Sequence, residues 1–189
     1  MFLNNRRAHV LTVVATLLTF FGSAALADIV QVQIDGIDGV SMKVRETKGA
    51  IDVLAWSWGT SLPSSSYVGA GASRTSGTPA SQALTFVHNI DKATPQILRK
   101  LFEGRPIPRA RLLVMRPAPT PAPYLIIEME DVIIGSIETA GGDTQDQATE
   151  TVSLGFAKVK LTYYTIDAKT GDSRPEPSTA WDYETQRSY

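Results

Sequence analysis

The sequence predicts a mainly β protein: a two-sheet antiparallel β-barrel or sandwich with one α-helix on its flank. Three observations carry this. About seven stretches read as strands, most with apolar and polar residues alternating. One segment alone has good helix start and stop signals, and it is inserted mid-chain among strands that must pair mostly antiparallel. Composition sits near the globular average, with 43% hydrophobic and 20% charged residues, so a single core can form at this length.

Residues 1–27 read as a secretory signal peptide. Arg6 and Arg7 form a positive start, and Val10 to Phe21 is apolar apart from three threonines. The run is about a dozen residues, against the roughly 20 that a spanning helix needs. Ala25 and Ala27 are small enough for a signal peptidase, which places cleavage between Ala27 and Asp28. An uncleaved anchor is the other reading. After cleavage no stable membrane insertion is expected, and residues 28–189 form one domain.

Removing Arg6 and Arg7 from the 18 basic residues leaves 16 against 19 acidic ones, a net charge of −3. That does not suggest a nucleic-acid binder, and no nucleic-acid partner is expected. There is no cysteine, so a disulfide scaffold, a thiolate metal site and a cysteine nucleophile are all excluded.

The elements follow in order. Asp28–Asp35 alternates Val30, Val32 and Ile34 against Ile29, Gln31 and Gln33, and a turn follows at Gly36 to Gly39. Ala50–Trp58 is a second strand, with Leu54, Trp56 and Trp58 on one face. Thr60–Ser81 is one long Ser/Gly/Thr excursion holding one aromatic, Tyr67, and one charge, Arg74. Gln82–Asn89 resumes as a strand. In TPQILRKLFEG, Thr94 is the N-cap, Pro95 opens the helix and Gly104 ends it, with Ile97, Leu98, Leu101 and Phe102 as its apolar stripe. Ala110–Arg116 is a strand, and the four prolines of RPAPTPAP force a turn or an edge. Tyr124–Glu138 and Thr149–Ile166 flank a hairpin turn. In the second of these the apolar phase slips near Gly155–Ala157, which predicts a bulge or a change of buried face. Ser178–Thr185 is a last short strand. Trp56, Trp58, Leu101, Phe102 and Phe156 are the expected core anchors.

A search for chemistry yields little. Ser64 and Ser65 have no base nearby in sequence, and His88 lies on an apolar strand face where a structural role is the usual one. Glu128 and Glu130 share a strand face, a spacing a glycosidase pair could use, yet an alternating solvated face explains them as well. No metal spacing or cofactor motif is present, and none is expected. Arg99, Lys100, Arg105, Arg109, Arg111 and Arg116 form a basic stretch that an anion or RNA site could use, yet no aromatic platform is interleaved with it, and on an acidic domain it better suits a self-associating subunit meeting its neighbour's acidic surface. Asp143 and Asp146 supply acid in the hairpin turn.

The chain resembles the Hcp family, the inner-tube subunits of the bacterial type VI secretion system. The matching stretches are ADIVQVQIDGIDG (27–39), IDVLAWSWG (51–59), the Ser/Gly loop, FVHNIDKATPQILRKLFEGRPIPRARL (86–112), YLIIEMEDVIIGSIETAGG (124–142) and ETVSLGFAKVKLTYY (150–164). The resemblance implies a non-enzymatic barrel that forms homo-hexameric rings stacked into a tube. It implies spike and sheath components as partners, small effector proteins as lumen cargo, and secretion from a bacterial cell. It also implies that the long loop reaches a neighbouring subunit or ring. The expected interface residues are therefore Ser64, Ser65, Tyr67, Arg74, Arg105, Arg109, Asp143 and Asp146. The resemblance implies exit through the apparatus without a leader, whereas residues 1–27 here read as one. A periplasmic or secreted binding module of the same fold, building no tube, is the alternative.

Overall fold

The computed structural model describes residues 27–44, 47–63, 77–143, 146–167, 170 and 173–189. In chain order the elements are β1 (Ile29–Ile34), β2 (Ile51–Asp52), β3 (Ala55–Ser57), β4 (Thr60–Ser61), β5 (Ala80–Ser81), β6 (Leu84–Asn89), α1 (Thr94–Glu103), β7 (Ile107–Met115), β8 (Pro123–Ala140), β9 (Thr149–Ile166), β10 (Ser173–Pro175), β11 (Thr179–Asp182) and β12 (Arg187–Ser188). The four-proline segment is the β7–β8 connection, as a stretch that cannot donate to a ladder must be.

Every paired strand is antiparallel. β8 lies between β7 and the full length of β9, and β1 flanks β7. On its far side β9 pairs β6 with its first half, and β11 and β10 with its second half. Two sheets thus share the long β8–β9 hairpin.

A crease separates them. Buried inward residues sit three apart at one level of three neighbouring strands: Ile107 and Ala110 on β7, Met129 and Val132 on β8. On β9 the half-buried, core-packed Phe156 and the buried Val159 repeat that spacing. The ladders pair the rows on either side but skip Pro108, Asp131 and Ala157. Pro108 has no N–H to donate, and Asp131 takes a left-handed φ of 53°. The unpaired row lets each strand swap faces there. This is the change of face expected at Gly155–Ala157, and it turns one sheet over the other.

The second predicted strand is broken. The Val53 N–H donates to Val30 O (2.9 Å) and the Leu54 N–H to Val87 O (2.8 Å). Two adjacent residues therefore bond to opposite sheet edges, and pairing switches from β1 to β6. No unbroken ladder closes the ring. The phase switches with it: Ile51 and Val53 are buried, then Trp56 and Trp58 turn inward, half-buried, against the core. Leu54, expected on the tryptophan face, is exposed.

The core joins both sheets through Val32, Phe86, Leu112, Ile127, Met129 and Leu154. Helix α1 covers one end with Ala93 and Ile97 fully buried and Leu101 packed beside them. Phe102 is not a core anchor: it is 78% exposed. At 100° per residue Ala93, Ile97 and Leu101 share one line, while Leu98 and Phe102 lie on the next line toward solvent. Thr94 is not the cap either. Ala93 holds that position, Asp91 Oδ1 accepts its N–H (2.8 Å), and the Thr94 hydroxyl turns inward to Glu150 (2.7 Å). Gly104 ends the helix in the left-handed region at φ 62°, as its sequence position requires.

Candidate assembly interface

Of the residues singled out for chemistry, His88, Glu128 and Glu130 lie among the described residues and each faces a structural partner. His88 is buried with its Nε2 2.8 Å from Glu150 Oε1, and Thr94 Oγ1 donates to the same oxygen. This pair lies under the start of α1, not beside an open cleft. Glu128 and Glu130 face Arg111 and Arg109 on β7, and Lys160 and Lys158 on β9. Carboxylates flanked by cations on both neighbouring strands are charge-complementary cross-strand pairs.

The basic stretch does not converge on one anion site. Arg99 and Lys100 each approach Glu103 (3.8 and 3.6 Å), and Arg109 approaches Asp35 (3.9 Å). Arg111 donates to Gln33 Oε1 (3.0 Å), and Arg116 lies 5.3 Å above the centre of the Tyr124 ring. Arg105, exposed after the helix, has no ion pair among the described residues. The interface residues expected from sequence are likewise spread out. Arg105 and Arg109 lie near the crease, whereas Asp143 and Asp146 are exposed in the turn at the far tip of the β8–β9 hairpin. Ser64, Ser65, Tyr67 and Arg74 lie outside the described residues.

What the structure does assemble is a row of alternating charge, open to solvent in whole or part at every member but the buried Asp182. Asp35 follows β1 and its N–H bonds to Arg109 O; then Arg109 faces Glu130, Glu130 faces Lys158, Lys158 faces Asp182, and Asp182 faces Arg187. The signs run − + − + − + across six strands. Sequence reasoning missed this row. The signal was present as Arg-x-Arg on β7, Glu-x-Glu on β8 and Lys-x-Lys on β9. Like charges two residues apart share a strand face, and alternating signs on successive strands match only in one register.

Asp182 anchors the end of the row. The N–H groups of Thr185 and Glu184 donate to its carboxylate (3.0 and 2.9 Å), and Lys158 stands opposite. The Thr185 bond first, and the others with it, hold its carboxyl below the usual aspartate range. A depressed folded value contributes stability above the unfolded value of about 3.9, and that contribution is lost as pH falls through the folded value. Asp182→Asn should therefore flatten the acid limb of stability measured below about pH 4. An unchanged acid limb in thermal melts would count against this role.

Residues 32–163 match the family described as "Type VI secretion system effector, Hcp". The chain is similar to Protein hcp1 of Pseudomonas aeruginosa, at 35% identity over 83 residues, which are 43% of this chain and 51% of the relative. The match spans about half the length of that curated relative. The structure is similar to the crystal structure of Hcp1 from Salmonella typhimurium, with TM-score 0.69 and 28% identity over 87% of this chain and 100% of that one. A structure described as a type six secretion system protein shares the fold, with TM-score 0.79 at 20% identity over 86% of this chain and 100% of that one.

Proposed function

The chain belongs to the Hcp family of type VI secretion system effectors, and from that premise we propose that it is a ring-forming subunit of the system's inner tube, with self-association as its activity. The observation that carries this is the extent of the likeness: the matched segment runs from β1 to β9 and includes the crease and the flanking helix. Rings of six copies, stacked end to end, are the proposed assembly. Spike and sheath components are the proposed partners, and small effector proteins the proposed cargo. A non-enzymatic role is consistent with the buried His88–Glu150 contact and with the cations that face Glu128 and Glu130 across the ladders.

Residues 1–27 are proposed as a cleaved leader preceding a single domain at 28–189, which adds a route through the periplasm to a secreted destination. What supports the boundary is that Asp28 is already docked on the barrel. Its carboxylate accepts a 2.6 Å bond from the Tyr124 hydroxyl, and that bond raises the pKa of the phenol.

Size-exclusion chromatography with light scattering should return hexamers of the cleaved chain, visible as rings by negative-stain microscopy. A strict monomer at high concentration would overturn the ring. N-terminal sequencing of protein recovered from periplasm and medium should begin at Asp28; recovery of residues 1–27 would refute cleavage.

A further inference from the structure

We propose that Arg187 of one subunit meets Asp35 of the next across the ring interface, so that the row of alternating charge continues from copy to copy. The proposal rests on the ring reading above and names the contact that joins its members.

Three observations carry it. First, the row ends in a cation without an ion pair on one side and a loosely paired carboxylate on the other. Arg187 is exposed and has no ion pair among the described residues, and Asp182, which it faces across the ladder, already accepts two backbone N–H groups at Oδ1. Asp35 approaches Arg109 at only 3.9 Å with about half of each side chain exposed, which leaves its carboxylate free to accept a second cation. Second, the ends are opposite in sign, so the group that continues the alternation past Arg187 is a carboxylate, and the group that continues it past Asp35 is a cation. The chain itself offers both.

Third, the two ends lie on opposite flanks. The row spans six strands, which is five spacings or roughly 24 Å along the curved sheet. A closed ring of more than two copies needs head-to-tail contacts between two different patches, and patches on opposite flanks meet that need. The Arg187 flank is also a sheet edge: β12 pairs with β11 and with no other strand among the described residues. An exposed edge in a native protein is usually covered or guarded by charge. The occupant we assign to it is therefore a second copy of this chain, presenting the turn that holds Asp35.

The test is a charge swap in the full chain, with the protein purified as the cell delivers it. Arg187→Glu and Asp35→Lys should each raise the concentration needed for assembly by about tenfold or more, measured by light scattering, because each sets like charges against one another at the junction. The double variant, R187E with D35K, should restore assembly to near the parental level. Arg187→Ala and Asp35→Asn serve as milder variants with unaltered melting curves, and each should weaken assembly by a smaller factor. A parent that assembles while folded single variants assemble equally well overturns the contact and leaves the ring standing. So does a folded double variant that stays dissociated. A parent that never assembles overturns the ring reading, and the contact falls with it.

Discussion

Phe86→Ala is expected to destabilise the protein by about 3–5 kcal/mol, the usual loss for a buried phenylalanine. Phe86 is fully buried on β6, paired across to Trp56 on one side and Val152 on the other. Its ring also lies 5.5 Å from that of His88. The cavity left by truncation would be walled by strands from both sheets, each held by its own ladder. Little collapse is available to fill it, so the cost should fall toward the upper end of the range. Since total stabilities run to about 5–15 kcal/mol, this single change would remove a large share. Urea denaturation followed by tryptophan fluorescence measures it. A loss under about 1 kcal/mol would mean that the two sheets do not depend on this contact.

Glu150→Ala should cost a similar amount, about 3–5 kcal/mol, for a different reason. Glu150 and His88 are both buried, and the carboxylate also receives the Thr94 hydroxyl. Alanine would strand the buried His88 and take the acceptor from the half-buried Thr94 hydroxyl, and an unpaired buried donor retains its full desolvation cost. It would also release the start of α1, which that hydroxyl ties to β9. Glu150→Gln keeps an oxygen for Thr94 and should cost less, about 1–3 kcal/mol. The expected order is therefore Ala worse than Gln, read from urea midpoints. Equal losses for the two variants would show that disrupting the contact with His88, and not stranding the Thr94 hydroxyl, sets the cost.

Both residues illustrate how far local pattern reaches. His88 was readable as an inward-facing structural histidine, because it alternates in phase with Leu84 and Phe86. Its partner was not, since Glu150 lies 62 positions away in sequence and only the β6–β9 register brings the two together. Gln31 makes the same point on β1. It sits on the polar side of a clean alternation, where exposure is the natural expectation, yet it is fully buried. The segment after β1 folds back over it: Gln31 Nε2 donates to Ser41 Oγ (2.5 Å) and Asp52 Oδ1 (3.1 Å), and the Thr47 hydroxyl donates to Gln31 Oε1. Nothing in a period of two reveals that a loop will cover the outer face.

Sequence by itself determined the class of fold, the single helix with its glycine stop, the proline-rich turn and the change of face near Gly155. Each depends on residues close together in the chain: a 3.6-residue stripe, a missing N–H, a left-handed glycine, a slipped alternation. The break at Val53–Leu54, the exposure of Phe102, the burial of Gln31 and the six-strand charge row were decided only by tertiary structure. Each depends on which distant strand lies alongside. The row shows the division most clearly. Its pieces, Arg109-x-Arg111, Glu128-x-Glu130 and Lys158-x-Lys160, are local and legible, but register alone converts three pairs of like charge into one continuous alternation. Local chemistry sets what each strand presents, and long-range pairing sets what it is presented to.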